Sequence, residues 1–480
     1  MKILFTAAEC APFFKTGGLG DVAGALPKAI QKLGHEVCVF LPYHRLMPKK
    51  YQQQLSDVLH FEVAVGWRQQ YCGVKTGVFE GVRFYFIDNA YYFDRATVYG
   101  EYDDGERFAF FQLAVIESME KIGFIPDVLH VNDYHTAFIP YLLQKKYHWI
   151  AAYNKIRTLV TIHNIEFQGN YDNQILGDLF GIGAEEFDNG QIEQSGQVNW
   201  LKAGIVYANQ VNTVSPSYAQ EIQTPDFGKG LDSILRQEQQ KVSGIVNGID
   251  YDQFDSTKDA HLFVPFDAEH LENKRENKCQ FQKMLGLPID PTIPLIGVVS
   301  RLTHQKGFHL VVESLDELLQ NSVQLVILGT GEQIFEEAFR SFENRYPEQV
   351  RACITFDLDL AQKIYGSADL FLMPSAFEPC GLSQMMAMRY GTLPIVHEIG
   401  GLKDTVWPFN PVTHEGTGFG FQTFDAYWLK ETVQLALHIY QEVPDVWKQV
   451  VKRAMTTDFS WDTASHRYIE LYDKLTNNSF

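Results

Sequence analysis

The sequence predicts an α/β protein with two doubly wound domains, each built on a parallel sheet. The chain has 480 residues, and one hydrophobic core rarely extends beyond about 250 to 300 residues. Short apolar or β-branched runs recur, and each is followed by a small-residue loop and an amphipathic stretch, as in parallel βαβ units. Hydrophobic residues make up 45% of the chain and charged residues only 21%, so there is apolar material for two cores.

The first half of the chain has five runs that read as parallel strands. They lie at residues 2–8, 36–41, 127–131, 157–162 and 210–214. Residues 58–88 differ, because three apolar stretches there are separated only by turn-like breaks. This spacing predicts an antiparallel addition at the edge of the parallel sheet.

The second half repeats the pattern and predicts a second sheet. Its strands are predicted at residues 244–246, 295–299, 323–328, 352–356, 369–373 and 393–396. We therefore predict a first domain over residues 1–242 and a second over residues 243–458. The helical pattern near the end of the chain predicts a helix within 459–480 that packs back on the first domain.

Charge and cysteine content exclude several classes of protein. The formal net charge is −19, and no block of five Lys or Arg residues occurs, so neither nucleic acid nor an anionic membrane is an expected partner. The six cysteines are dispersed without a CxxC pair, which argues against a disulfide framework and a structural zinc. No apolar run approaches the ~18 residues of a membrane span. We expect a cytoplasmic protein.

Ligands of open parallel sheets bind outside the carboxyl ends of the strands, and a glycine-rich loop follows the first predicted strand. Its sequence is KTGGLGDV, from Lys15 to Val22. Glycines let the backbone approach a ligand, the helix start favours an anion, and Lys15 adds a positive charge. Gly18 also fits a dinucleotide fingerprint, but residues 9–16 separate it from the strand and Leu41 stands where an acidic residue is needed. The glycines are also compatible with simple helix packing.

Three further loops carry candidate groups in the second half. Arg301 and Lys306 follow the predicted strand at 295–299. Two cations five residues apart, between a strand and a helix, suit the binding of a diphosphate. Gly329 follows the next strand and permits a close backbone approach. Glu378 precedes a predicted helix start, and a carboxylate followed by free amides can face a sugar and its phosphate together. Each of these residues, taken alone, also has an ordinary structural interpretation.

In the first half, His163 ends the predicted strand at 157–162, and Asp133 with His135 ends the predicted strand at 127–131. Their shared position at strand ends makes them candidates, although each is individually compatible with a structural role. Short acidic patterns at Asp250-x-Asp252 and Asp357-x-Asp359 are common in acidic proteins. The histidines lack zinc-like spacing, so we predict no metal and no cofactor.

The longest motifs are KTGGLGDVAGALPKAI, VNDYHTAFIP, TIHNI, RLTHQKG and SAFEPCGLSQMMAMRYGTLPIVHEIGGLKDTV. Through them the chain closely resembles bacterial glycogen synthases and plant starch synthases over nearly its whole length. The resemblance implies a GT-B fold, in which two Rossmann-like domains face each other across a cleft. It also implies transfer of glucose from ADP-glucose to the non-reducing 4-hydroxyl of glycogen or another α-1,4-glucan, with retention and without a metal.

The resemblance also implies site residues, position by position. The catalytic group that it implies comprises Glu378, His163, Arg301 and Lys306. The substrate-binding group that it implies comprises Lys15, Gly18, Asp21, Asp133, Asn247, Cys380, Gly381 and Leu382. Two positions depart from relatives: Met386 stands where many retaining glycosyltransferases have a second glutamate, and Phe93 stands where some bacterial members have tyrosine.

Two alternatives to an ADP-glucose-dependent synthase remain open at the level of sequence. One is a retaining glucosyltransferase of the same fold that uses UDP-glucose. The other is a non-catalytic glucan-binding protein, because the segment from Tyr91 to Tyr102 is rich in aromatic rings that can stack on sugars. A pure binding protein, however, has no need of Lys15, Arg301, Lys306 and Glu378 together. The sequence predicts no oligomeric state.

Overall fold

The computed structural model describes residues 1–477. It divides the chain into two compact units, one containing Met1–Asn247 with the segment from Trp461, and one containing Gly248–Ser460. Each unit has its own parallel sheet covered by helices, so the predicted α/β architecture of two doubly wound domains is confirmed. None of the helices within these 477 residues is both long enough and apolar enough to cross a membrane.

The first unit contains a nine-stranded sheet and a small three-stranded sheet. The strands are β1 (Lys2–Thr6), β2 (Glu36–Pro42), β3 (Ser56–Val65), β4 (Arg68–Phe79), β5 (Val82–Asp88), β6 (Val128–Asn132), β7 (Arg157–Ile162), β8 (Asn170–Tyr171), β9 (Glu193–Gln194), β10 (Gln197–Asn199), β11 (Gln210–Thr213) and β12 (Val242–Gly244). The order in the large sheet is β12-β11-β7-β6-β1-β2-β5-β4-β3, and β8-β10-β9 form the small sheet.

The edge of the large sheet is antiparallel, as its turn-separated sequence predicts. β3 pairs antiparallel with β4, and β4 pairs antiparallel with β5. β5 then joins β2 in parallel, so this three-strand addition extends the sheet without changing its parallel centre.

Strand β12 shows where the first unit ends. It pairs in parallel with β11, with Val211 opposite Val242, and therefore belongs to the first sheet rather than to the second, where the predicted strand at 244–246 was assigned. Gly244 lies so close to the loop after β11 that a Cβ atom there would be 2.1 Å from the Ser215 carbonyl oxygen. β12 runs from residue 242, the predicted boundary, to Gly244 and still belongs to the first sheet. The first unit accordingly ends at Asn247 rather than at residue 242.

Helices of the first unit cover both faces of its large sheet. They are α1 (Gly18–Lys32), α2 (Lys49–Gln52), α3 (Ala90–Phe93), α4 (Asp104–Lys121), α5 (Tyr134–Ala137), α6 (Ile139–Lys145), α7 (Ile175–Asp178), α8 (Glu185–Asp188), α9 (Trp200–Tyr207), α10 (Pro216–Glu221) and α11 (Asp232–Gln237). In α1 the apolar residues Val22, Leu26 and Ile30 recur at helical spacing and are fully buried.

The second unit has a six-stranded, wholly parallel sheet. Its strands are β13 (Leu295–Val299), β14 (Gln324–Leu328), β15 (Val350–Cys353), β16 (Leu370–Met373), β17 (Leu393–His397) and β18 (Phe419–Phe421). Their order is β15-β14-β13-β16-β17-β18, which is the order of a Rossmann sheet. The three-residue β18 is too short to show a periodicity in the sequence.

Helices α12 to α19 belong to the second unit. They are α12 (Leu271–Leu285), α13 (Phe308–Leu318), α14 (Gln333–Arg345), α15 (Leu358–Ser367), α16 (Ser383–Arg389), α17 (Gly400–Thr405), α18 (Ala426–Glu442) and α19 (Pro444–Thr456). Strand β15 ends at Cys353, whereas the sequence predicts residues 352–356. The amides of Ile354 and Thr355 donate to carbonyls only two residues back, so the chain turns there and Phe356 lies in a loop.

The last helix, α20 (Trp461–Asn477), packs on the first unit. Its Tyr472 hydroxyl is hydrogen-bonded to Nδ1 of His130 in β6 at 2.8 Å, and the other ring nitrogen of His130 lies 2.7 Å from the Thr161 hydroxyl. The Asn212 amide donates to the Tyr468 hydroxyl at 3.3 Å. These buried polar contacts fix the position of α20 along the sheet, because each group needs its partner. Residues 478–480 of the predicted segment lie outside the described residues.

Candidate active site

Among the parallel strands of each sheet, the strand order reverses between β1 and β6 in the first unit and between β13 and β16 in the second. Open parallel sheets bind ligands at the carboxyl ends of the strands that flank such a reversal. The loops that follow these four strands contain Lys15, Asp133, Arg301 and Glu378. Thus the topology places predicted residues of both units at the expected positions.

The glycine-rich loop after β1 ends where α1 begins, at Gly18. Apart from its chain neighbours and the backbone of its own helix, no atom of residues 1–477 lies within 4 Å of the position that a Cβ atom of Gly18 would occupy, so the backbone is open to an approaching ligand. Lys15 Nζ lies 2.6 Å from Asp21 Oδ1, and both side chains are exposed. An exposed ion pair is weak, and an anionic ligand can therefore compete with Asp21 for Lys15.

A buried carboxylate supports this loop. Glu9 is 2% exposed, and it accepts hydrogen bonds from the Thr16 amide at 2.5 Å, the Thr16 hydroxyl at 2.7 Å and the Gly20 amide at 3.1 Å. Burial raises the pKa of the Glu9 carboxyl, and the hydrogen bonds partly oppose that effect. Glu9 is not among the predicted site residues. An acidic residue directly after an apolar strand is the signal that points to it.

Asp133 follows β6 with a backbone φ of +54° and a ψ of 179°, a combination that residues other than glycine rarely adopt. Its Oδ1 accepts from the His163 amide at 2.7 Å, which links the loops after β6 and β7. Burial raises the pKa of Asp133 to about 7, and the nearby charge of Glu9 adds to this shift. The Asp133 carboxyl therefore titrates near neutral pH.

His163 has a defined hydrogen-bonding state. Its Nε2 lies 2.9 Å from Asn132 Oδ1, while the amide of Asn132 donates to the Thr6 carbonyl at 3.0 Å. Because the Asn132 oxygen can only accept, Nε2 of His163 carries the hydrogen. Burial lowers the pKa of His163 to about 3, so the ring is neutral and Nδ1 is an acceptor. The neutral ring can therefore accept a hydrogen bond from a substrate hydroxyl through Nδ1, and it is poorly suited to donate a proton.

Asn247 is the last residue of the first unit. It is 5% exposed, and its Oδ1 has no hydrogen-bond partner among the described residues. A buried polar atom without a partner is rare. It is the kind of group that a bound ligand satisfies.

In the second unit, the loop after β13 provides two different cations. Arg301 is exposed, and it forms no ion pair within residues 1–477. Lys306 is largely buried, and its Nζ lies 2.5 Å from Oε2 of Glu378. The Ser375 hydroxyl donates to the same carboxylate oxygen at 3.0 Å. Arg301 is therefore available to an anion, whereas Lys306 is held against Glu378.

Backbone packing holds the loops after β13, β14 and β16 together. Gly307 has a φ of +77°, and a Cβ atom there would be 1.9 Å from the Pro374 carbonyl oxygen. The Ala376 amide donates to the Gln305 carbonyl at 2.9 Å. At Gly329 a Cβ atom would be 1.8 Å from the Ser300 carbonyl oxygen, so its predicted close approach is to the protein backbone.

The segment after Glu378 leads directly into α16. Gly381 has a φ of +70°, and Leu382 caps the helix, whose first amides have no acceptor within the helix. The Gly401 amide donates to the Glu378 carbonyl at 3.1 Å, and a Cβ atom at Gly401 would be 2.1 Å from the Cys380 carbonyl oxygen. These contacts fix the segment as one turn beside Glu378.

Phe356 is a further candidate that the sequence pattern conceals. It is 83% exposed and follows β15, on the carboxyl edge that also carries Gly329. The Gly329 amide donates to the Cys353 carbonyl at 3.2 Å, so the two loops are adjacent. Its exposure depends on where β15 ends, which hydrophobic patterning does not reveal.

No group of three or more His, Cys, Asp or Glu side chains in residues 1–477 is arranged to hold a metal ion. The acidic patterns have local roles instead. Asp357 caps α15 by accepting from the Leu360 amide at 2.9 Å, and Asp359 pairs with His261 and Lys363.

Comparison with known proteins agrees with the geometry of both units. Residues 2–237 match the family model of the starch synthase catalytic domain, and residues 283–453 match the model of glycosyl transferases group 1. The glycogen synthases of Streptococcus pneumoniae strains Hungary19A-6 and JJA are each 60% identical to the chain over 477 residues. That alignment covers 99% of this chain and 100% of theirs.

Solved structures give the same assignment. The catalytic domain of starch synthase IV from Arabidopsis thaliana, solved with ADP and acarbose, matches with a TM-score of 0.91 and 35% identity over 99% of both chains. Sucrose-phosphate synthase from Thermosynechococcus elongatus matches over 100% of both chains with a TM-score of 0.62 and 17% identity, which shows a shared fold alone. The predicted GT-B fold class is thereby confirmed. The chain belongs to the glycogen synthase and starch synthase family of glycosyltransferases.

Proposed function

We propose that this protein is a glycogen synthase that transfers glucose from ADP-glucose to the non-reducing 4-hydroxyl of an α-1,4-glucan with retention. The observation that carries the proposal is the Lys306–Glu378 ion pair, formed at the strand-order reversal of the second sheet. A cation for the leaving phosphate and a carboxylate for the reacting sugar are thus side by side. The 60% identity to proteins named glycogen synthase and the ADP in the plant neighbour support this assignment.

Departure of ADP puts additional negative charge on its diphosphate, and stabilising that charge lowers the barrier. Arg301 is free of protein anions within the described residues and is suited to a bidentate phosphate contact. Lys306 provides a second positive charge on the same loop. Close backbone packing of Gly307 against Pro374 holds the loop that carries both cations in place.

As ADP leaves, the glucose acquires oxocarbenium-like positive charge, which the Glu378 carboxylate stabilises. Retaining glycosidases use two carboxylates, one of them a nucleophile, whereas we assign only Glu378 to the reacting carbon, where Lys306 and Ser375 both contact its Oε2. We infer that the departing phosphate itself removes the proton from the attacking glucan hydroxyl on the same face. Isolation of a covalent glucosyl-Glu378 intermediate by mass spectrometry would contradict this mechanism.

Residues of the first unit suit the sugar hydroxyls and the donor phosphates. His163 is neutral and offers Nδ1 as an acceptor, while Asp133 is a buried carboxyl that orders the same loops. Lys15 and the open backbone at Gly18 suit an anionic group. We assign the first pair to glucose and glucan hydroxyls and the second pair to the donor.

Phe356 provides a surface for the nucleobase. An exposed aromatic ring on the ligand-binding edge of a Rossmann sheet can stack on the flat face of a base. Stacking is tolerant of base identity, so Phe356 does not by itself favour adenine over uracil.

The experiment that tests the function is a donor competition with glycogen as acceptor. We expect ADP release from ADP-glucose to exceed UDP release from UDP-glucose, and we expect an α-linked product by NMR. A preference for UDP-glucose would replace the donor assignment and keep the reaction type. A rise in melting temperature with ADP-glucose or glycogen, without any nucleotide release, would identify a binding protein instead.

A further inference from the structure

We propose that Glu9 is a positioning residue that holds the segment from Lys15 to Gly20 in the conformation that binds the donor. This inference rests on the proposed function, because the donor assigned to that loop is ADP-glucose. Glu9 acts through the loop and makes no contact with substrate in our proposal.

Glu9 contacts the loop at both of its ends. One carboxylate oxygen accepts from the amide and hydroxyl of Thr16, and the other accepts from the amide of Gly20. Hydrogen bonds to an ionised acceptor are about twice as strong as neutral ones. A single buried side chain thus fixes the start of the loop and the first turn of α1.

The composition of the loop explains why such an anchor is needed. Three of its residues, Gly17, Gly18 and Gly20, lack side chains, and glycine loses more conformational freedom on ordering than any other residue. Few backbone contacts oppose this freedom: the Ala11 amide donates to the Gly20 carbonyl at 2.8 Å, and the Gly20 amide approaches the Gly17 carbonyl at 3.2 Å. Ordering the loop before the ligand arrives removes a cost from binding.

The same contacts determine where Lys15 lies. A Cβ atom at Gly20 would be 2.4 Å from the Lys15 Cβ atom and 3.6 Å from the Glu9 carboxyl carbon. The stem of Lys15 therefore crosses directly over Gly20, in the turn that Glu9 closes. If the carboxylate is lost, the ammonium of Lys15 loses its fixed position relative to the helix start.

Glu9→Gln tests this role because the carboxamide nearly keeps the size of the side chain but turns one acceptor into a donor. That donor must face the amide of Thr16 or of Gly20. Glu117→Gln is the matched control, since Glu117 is a carboxylate of the same unit that accepts from the Tyr147 hydroxyl at 2.8 Å and does not contact the loop. Both substitutions replace a hydrogen-bonded carboxylate with a carboxamide, but only Glu9→Gln does so at the loop.

We expect Glu9→Gln to raise the KM for ADP-glucose at least tenfold, with a smaller change in kcat and an unchanged KM for glycogen. Glu117→Gln should lower the melting temperature and leave both KM values within twofold of wild type. A Glu9→Gln enzyme that is less stable but has a wild-type donor KM would overturn the proposal, because Glu9 would then be purely structural.

Hydrogen exchange supplies a readout that does not depend on turnover. Amides of residues 15–20 should exchange at least tenfold faster in Glu9→Gln than in wild type or in Glu117→Gln, and exchange as slow as in wild type would also overturn the proposal. If wild type does not use ADP-glucose, the proposed donor fails while this comparison still decides whether Glu9 orders the loop.

Thr16→Val removes only the hydroxyl donor to Glu9. It should change the donor KM and the amide exchange in the same direction as Glu9→Gln but by smaller factors, and it replaces Glu9→Gln if that variant does not fold.

Discussion

The Lys306 ammonium lies 2.5 Å from Oε2 of Glu378. The cation predicted to hold the diphosphate and the carboxylate predicted to contact the glucose are therefore ion-paired with each other, 72 residues apart in sequence. Both side chains are mostly buried, and removing one partner of such a pair leaves the other charge uncompensated. The two residues are thus coupled in stability as well as in their proposed roles.

Arg301→Ala and Lys306→Ala should therefore differ in stability but not in the direction of their effect on activity. Each removes a charge-assisted phosphate contact that we propose, so we expect kcat/KM to fall on the order of 10²-fold or more. Only Lys306→Ala should also lower the free energy of unfolding, by about 1 to 3 kcal/mol, because Glu378 loses its partner. Steady-state kinetics and urea denaturation measure both effects.

Lys430→Ala is the control for these variants, since Lys430 pairs with the exposed Glu317 on the surface of the same unit. It should change neither kinetics nor stability appreciably. Near-normal turnover in purified, folded Arg301→Ala or Lys306→Ala would refute the phosphate role.

Gly18→Ala should separate ligand binding from folding. The position of the new Cβ atom is open, and alanine is at least as favourable as glycine in a helix, so the melting temperature should be unchanged or slightly higher. We expect the KM for ADP-glucose to rise at least fivefold, because the methyl group would occupy the space through which we propose that the donor approaches. Gly183→Ala, which is equally unobstructed, should leave the KM unchanged. An unaltered donor KM in Gly18→Ala would mean that no ligand approaches this backbone.

Asp133 should make the stability of the protein depend on pH. Its pKa is about 7 in the folded state against 3.8 as the ordinary value, so its contribution is fully present below about pH 4 and is lost as pH rises through 7. Asp133→Asn removes this loss, and the asparagine oxygen can still accept from the His163 amide. The stability of the variant relative to wild type should therefore increase by about 2 to 3 kcal/mol between pH 5 and pH 8.

Urea denaturation at the two pH values measures this difference. Comparing the variant with wild type at each pH cancels the contributions of the other titrating groups to stability. The exception is the part of the Glu9 contribution that depends on the charge of Asp133. A constant difference between pH 5 and pH 8 would show that Asp133 does not titrate in this range.

Tyr472→Phe should destabilise the first unit through its last helix. The change removes the hydroxyl bonded to Nδ1 of His130, a ring that burial keeps neutral by lowering its pKa. An unsatisfied buried nitrogen costs about 1 to 3 kcal/mol, which denaturation by urea resolves. Tyr427→Phe, at an exposed position, should have no measurable effect. Equal stability of the two variants would show that the His130 contact does not hold α20.

Hydrophobic patterning alone was enough to predict the class of each sheet and the loops that carry the candidate site. Strands and helices have different hydrophobic periods, and each period is a local property. The strand at Arg157–Ile162 and the strand at Leu295–Val299 were predicted at their observed bounds. Since ligands bind at the carboxyl ends of parallel strands, Lys15, Asp133, Arg301 and Glu378 followed from those positions.

Which of these loops meet within each unit depends on how the strands are ordered in its sheet. Strand order places β13 beside β16, which brings Lys306 against Glu378. Pairing with β11 assigns β12 to the first sheet. Burial, which depends on distant parts of the chain, makes Glu9 an anchor and His163 an acceptor. Hydrogen bonding and desolvation act through space between residues far apart in sequence, and no local pattern contains them.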